Sequence, residues 1–184
     1  PDDASRGYYL GAQLLDFLAP KNPQQKTITV PVSQEVGDRT PVEGVIDRDV
    51  IAKQTKTAVA MLDVEQPERI ITLGGECSVS VVPFTWLAKK YEGDVAVLWI
   101  DAHPDITLPG DVYSGYHAMA VTAMLGKGNK TILSELPAQI PANRILLVGL
   151  RDWERQQIID RQKELGLKHV GVEDVQQSSE KILS

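Results

Sequence analysis

The chain has 184 residues, 42% hydrophobic and 24% charged, with a formal net charge of -6. That length suits one domain with a real core, and the acidic balance argues against nucleic acid or an anionic membrane as the main partner. No apolar run approaches the roughly 18 residues that span a bilayer, no signal peptide is visible, and the single cysteine, Cys77, excludes an internal disulfide and fits a reducing, cytoplasmic setting.

In chain order, Ser5 to Ala19 reads as a helix and Lys26 to Val32 as a strand. The apolar spacing from Val45 to Leu62 predicts a second helix. Pro67 to Gly75 contains a second strand, and Pro83 to Tyr91 is a helix with proline in its first turn. Asp94 to Asp101 is a third strand. His117 to Leu125 is a helix closed by Gly126, and Asn143 to Asp152 is a fourth strand. Trp153 to Gly166 is a helix capped by its final glycine, and Lys168 to Val172 is a short fifth strand. The middle three strands are nearly continuous Val, Ile and Leu, as strands buried on both faces are in a parallel sheet. Alternating strands and helices imply a three-layer α/β/α sandwich with a mostly parallel sheet.

The stretch from Glu173 reads as a helix with no strand after it, and the chain opens at Pro1 without a methionine. The expectation is one α/β domain over residues 1–184, incomplete at its C-terminus and also at its N-terminus.

In open α/β sheets, ligands bind outside the carboxyl ends of the strands. Asp101 occupies that position on the third strand and is followed by His103 and Asp105. If the backbone stays extended through Pro104, side chains two apart point the same way and these three converge. Two carboxylates and an imidazole suit Mn²⁺, Fe²⁺ or Zn²⁺. The bland alternative is two capping aspartates and a loop histidine. Gly74 and Gly75 also follow a strand and allow close backbone approach. Ser114 and Gly115 form a loop before His117, which on a bland reading is a surface residue at a helix start. His169, far from these loops, reads as structural or exposed.

Three blocks, Gly74-Gly75-Glu76-Cys77-Ser78, Asp101-Ala102-His103-Pro104-Asp105 and Ser114-Gly115-Tyr116-His117, resemble the ureohydrolase (arginase, agmatinase and formiminoglutamase) family in order and spacing. The resemblance implies a metal-dependent hydrolase of a guanidino (amidino) compound, with two Mn²⁺ ions. A metal-bound hydroxide would release urea or a related product. By position it makes Asp101, His103 and Asp105 metal ligands and His117 a proton-shuttling or substrate-binding histidine, so that Asp105 and His117 are the catalytic pair. Ser114 and Thr107 fall where arginases contact substrate, although arginases often carry Asn at the position of Thr107. It also implies a small guanidino substrate and a homo-oligomer, trimer or hexamer.

Departures from the pattern shape the expectation. Cys77 stands where the family has its first metal histidine, and Glu76 where it has Asp. A thiolate ligand shifts preference toward Zn²⁺ or Fe²⁺, whereas a buried free thiol is the alternative. The later D-x-D-x-x-D-P motif is absent from these 184 residues. Asp101 and Asp105 offset only two of the four charges of a metal pair, so this stretch alone is expected to be a weak or inactive catalyst. Three other readings compete. One is a non-catalytic ureohydrolase-like protein that has lost a metal site. Another is a non-haem iron centre built on His103, Asp105 and a distal histidine, and the third is an α/β binding module without chemistry.

Overall fold

The computed structural model describes residues 4–34 and 37–177, and the side chains from residue 7 onward within those ranges. Ten helices and strands follow in order: α1 (Ala4–Leu18), α2 (Arg48–Glu65), α3 (Val81–Lys90), β1 (Val97–Ile100), α4 (Ala120–Met124), α5 (Lys130–Leu133), β2 (Ile145–Leu150), α6 (Gln156–Leu165), β3 (Lys168–Gly171) and α7 (Val172–Gln177). Three short 3₁₀ turns, Cys77–Ser80, Tyr116–Met119 and Ala142–Arg144, precede α3, α4 and β2.

The three strands form a parallel sheet in the order β1-β2-β3. Parallel neighbours need crossovers: α4 and α5 lie in the first and α6 in the second. This is the α/β architecture with a parallel sheet that the alternation predicts. β2 is central and apolar on both faces, with Ile145, Leu147, Val148 and Leu150 buried. β1 alternates instead. Val97 and Trp99 enter a core shared with α2, α3 and α4, while Leu98 and Ile100 face outward, Ile100 at 78% exposure.

The helices form where the spacing places them, with shifted ends. α2 starts at Arg48 because Val42 and Val45 pair with each other first, burying Val45, and Asp47 takes a left-handed conformation. α3 carries Pro83 in its first turn, where a missing N–H costs nothing. The stretch expected as one helix from His117 begins as a 3₁₀ turn and becomes α-helical at Ala120. α6 starts at Gln156 and ends on left-handed Gly166, whose N–H bonds the carbonyls of Gln162 and Lys163. Of the helix expected from Glu173, residues 178–184 lie outside the described residues.

Two expected strands are not strands. Residues 26–32 and 67–75 form no ladder, and Val32, Ile71 and Leu73 are exposed. Their β-branched composition favours an extended chain, but a strand exists only through a partner's N–H and C=O groups, and neither segment pairs with β1, β2 or β3.

Burial on the two faces of the sheet makes a direct prediction. Leu147→Ala, at a fully buried site in the central strand, should lower unfolding free energy by roughly 3 kcal/mol through lost transfer and a cavity. Ile100→Ala should cost less than about 1 kcal/mol, as surface changes do. Chemical denaturation of both variants measures the contrast, and equal losses would show that the outer face of β1 is covered.

Candidate metal centre

The candidate centre is built from the turn before α3 and the loop after β1. The loop is pinned first. Asp101 N–H donates to the Val148 carbonyl at 3.0 Å, and the Ala102 carbonyl accepts from the N–H groups of Arg151 and Asp152, both at 3.1 Å. The β1–β2 pairing is thereby continued past the strand ends. β2 bulges at Gly149 (φ 82°), a left-handed position that favours glycine. A Cβ there would lie 3.7 Å from the Asp101 carbonyl.

The loop does not remain extended. Asp105 has φ 49°, in the left-handed region. Its carbonyl accepts from Val121 N–H at 3.0 Å, and Thr107 N–H donates to the Ala118 carbonyl at 2.8 Å. Ile106 between them is almost fully buried. Farther along, Arg161 clamps the loop, donating to the Ile106 carbonyl at 3.0 Å and gripping both carboxylate oxygens of Asp111. The Asp111 carboxyl is held below the usual carboxylate range by that guanidinium.

The other wall is the turn at Cys77. Gly75 packs so closely on α1 that a Cβ would come within 2.8 Å of the Tyr8 carbonyl oxygen and Cβ. The Glu76 carboxylate caps the turn, accepting from the Ser78 N–H at 2.9 Å and from the Ser78 hydroxyl. Cys77 follows with its thiol facing the loop.

Cys77, Asp101 and Asp105 each offer one ligand atom, and these atoms lie within 4.8 Å of one another. The Cys77 thiol donates to Asp101 Oδ2 at 3.5 Å. Asp105 is only 6% exposed, and its Oδ2 is buried without a hydrogen-bond partner. Burial, reinforced by the charges of Asp101, Glu76 and Glu154 and opposed by a hydrogen bond from Cys77, pushes the Asp105 carboxyl up to about 7. Burial, with the charges of Asp105 and Asp101, also pushes the Cys77 thiol up. A buried carboxylate oxygen without a partner is costly; protonation relieves that cost, and so would a bound cation. The set therefore fits a divalent ion, with one sulfur and two carboxylates as donors.

His103 lies beside this group rather than within it. It is exposed, with Nδ1 3.6 Å from Asp101 Oδ1 and Nε2 3.9 Å from Asp152 Oδ2. Its backbone N–H donates to Asp101 Oδ1 at 2.9 Å. Asp101 thus turns one oxygen toward Cys77 and the other toward His103. His117 is half-buried and its Nε2 meets the Tyr113 hydroxyl at 3.2 Å, the rings packed edge to face. The Ser114 carbonyl accepts from Ile46 N–H, and the buried Thr107 offers its carbonyl to the Thr122 hydroxyl. His169 packs edge to face against Trp153 and its Nδ1 meets the Gln162 amide, away from these loops.

The sequence reading does not single out Asp152, Tyr113 or Tyr116. Tyr116 has a buried hydroxyl without a partner, close enough to Glu76 to feel its charge. Asp152 had a usable signal, because it lies just past the end of β2 as Asp101 lies just past the end of β1. The two tyrosines had none beyond their place in and beside the Ser114–His117 block.

The raised Asp105 predicts a pH effect in the presence of chelator. Its folded value lies above its ordinary 3.8, so the protonated form favours folding. That contribution is complete below about pH 4 and is lost as pH rises through 7. At pH 8, Asp105→Asn should be more stable than the parent by on the order of 2–4 kcal/mol, with little difference at pH 4. Urea denaturation at both pH values checks this, and an asparagine variant no more stable at pH 8 would contradict it.

Comparison with known proteins follows this geometry. The arginase family model matches residues 14–184. Arginase of Entamoeba histolytica is 32% identical over 161 residues, covering 82% of this chain and 50% of that enzyme. Arginase of Staphylococcus aureus strain MRSA252 is 31% identical over 108 residues, 58% of this chain and 35% of that enzyme. The crystal structure of the Entamoeba arginase in complex with L-ornithine superposes with a TM-score of 0.67 at 25% identity, over 86% of this chain and 54% of that one. The chain thus spans about half the length, or less, of the relatives it matches. With a family match over nearly its whole length, the chain belongs to the arginase family.

Proposed function

We propose that this protein is a metal-dependent hydrolase that cleaves a C–N bond of a guanidino compound and releases urea or a related product. The observation that carries the reading is the Cys77–Asp101–Asp105 cluster at the sheet's carboxyl end, with Asp105 Oδ2 buried and unpartnered. Family membership and the identity to characterised arginases support it. By the same family likeness we infer a trimer or hexamer with two divalent ions, Mn²⁺ being the family's metal and Zn²⁺ or Fe²⁺ the alternatives that Cys77 admits, and the single cysteine agrees with a cytoplasmic setting. Among the described residues, no helix is long and apolar enough to cross a membrane.

Divalent ions held here would supply Lewis acidity, lowering the pKa of a coordinated water so that hydroxide is available near neutral pH. The rest falls to the chain's own groups. Cys77, Asp101 and Asp105 would hold one ion. His103, which faces the other oxygen of Asp101, would help to hold a second. The surrounding carboxylates Glu76, Asp152 and Glu154 give the pocket a negative field that attracts a cationic guanidinium. His117, in contact with the Tyr113 hydroxyl, can pass a proton to the departing amine. Ser114 and Thr107 would meet the far end of the substrate.

A second reading, a family member that binds metal without turning over substrate, is favoured by Cys77 at the family's histidine position. A product-release assay with arginine, agmatine, guanidinobutyrate and formiminoglutamate, run on the metal-loaded full-length protein, separates the two. The hydrolase reading expects turnover of at least one compound. Asp101→Asn should reduce it by on the order of 100-fold or more, beyond the loss usual for groups one step from the metal, with unchanged circular dichroism. Metal-loaded, folded protein that hydrolyses none of the four would favour the non-catalytic reading.

A further inference from the structure

The donor set at the inner position is not the one a manganese site would select. It holds one thiol sulfur and two carboxylates, with ligand atoms within 4.8 Å of one another. Manganese is the weakest binder of the first-row divalent series and prefers oxygen, whereas sulfur donors shift preference strongly toward zinc and its borderline neighbours. Three protein ligands with a fourth place open is also the pattern of catalytic zinc.

The spacing agrees. A tetrahedral zinc with ordinary Zn–S and Zn–O bonds has an S···O edge of about 3.6 Å. Cys77 Sγ and Asp101 Oδ2 are 3.5 Å apart. The third donor, Asp105, is 6% exposed and has an oxygen that no hydrogen bond satisfies. Its left-handed backbone and the Val121 N–H on its carbonyl hold it there. The Gly75 contact with Tyr8 fixes the approach of the Cys77 turn from the other side. The thiol is therefore placed on the two carboxylates by backbone on both walls.

We infer that the inner position, Cys77–Asp101–Asp105, is a thiolate-containing site selective for zinc over manganese. The inference rests on reading these three residues as a cation site and is independent of whether the protein turns over substrate. It sets this chain apart within a family expected to use manganese at both positions: the outer position, with His103 and no sulfur, keeps the harder donor set.

The test uses the purified 184-residue chain, stripped of metal under reducing conditions, with the metals themselves as probes. In competition experiments zinc should bind at least about 100-fold more tightly than manganese. Cobalt(II), a spectroscopic stand-in for zinc, should give a near-ultraviolet sulfur-to-cobalt charge-transfer band. Cys77→Ser should abolish the band and shrink the zinc preference at least tenfold. Cys77 is the chain's one cysteine, so alkylation by iodoacetamide supplies a readout that needs no variant. Zinc should slow it at least tenfold, and manganese at the same concentration should not. Manganese binding as tight as zinc, cobalt binding without a sulfur band, or no zinc binding at all would each overturn the inference. A sulfur-free cobalt spectrum would leave the hydrolase reading standing. Absence of amidine hydrolysis by the metal-loaded full-length protein would remove that reading, while the zinc preference is still measured on the 184-residue chain.

Discussion

A carboxylate taken out of water with too few donors is among the more expensive groups a fold can contain, and Asp105 is in that position, its Oδ2 buried without a partner. Its neighbours make the cost higher, because Asp101, Glu76 and Glu154 add negative charge and Cys77 supplies one weak hydrogen bond. Nothing in the local backbone lets the side chain escape. Its carbonyl is tied to the start of α4, and the next residue, Ile106, is sealed in the core. The arrangement has the donor chemistry of a cation site, and the proposed function rests on that reading.

The sheet supplies the rigidity this requires. β1 ends at Ile100, but its hydrogen bonding to β2 runs on through Asp101 and Ala102. The carboxylate of Asp101 is therefore located as firmly as a strand residue, and the bulge at Gly149 gives its backbone room. The Arg161–Asp111 pair, nearly buried and two-pronged, holds the far end of the same loop. The result is a concentration of carboxylates at one end of the sheet in a chain that is acidic overall. Such a field draws in a cation, whether a metal or a guanidinium.

Much of this was legible in the residues. A continuous apolar run marks β2, because a strand buried on two faces leaves no room for polar alternation; β1 carries the same kind of run although Leu98 and Ile100 face outward. Helical spacing marks α1, α2, α3 and α6 for the converse reason. Asp101 follows from the rule that strand ends carry ligands, and Gly75 from the need for a close approach. The segments at 26–32 and 67–75 misled because extended propensity is local, whereas a ladder needs a neighbour. The alternation rule placed His103 and Asp105 together on the assumption of an extended chain. The turn at Asp101 and the left-handed Asp105 break that assumption, so Asp105 swings toward Cys77 while His103 remains outside beside Asp152. A contact between segments distant in sequence, such as Arg161 of α6 with Asp111, carries no signature that composition or spacing exposes.

The central claim is that Cys77, Asp101 and Asp105 act together on one cation. X-ray absorption at the edge of zinc bound to the purified chain tests it most directly, because scattering from sulfur and from oxygen is distinguishable and the bond lengths are well known. The account predicts one sulfur at about 2.3 Å with the remaining neighbours oxygen or nitrogen near 2.0–2.2 Å, and loss of the sulfur shell in Cys77→Ser. A first shell made only of oxygen and nitrogen in the parent protein would contradict it.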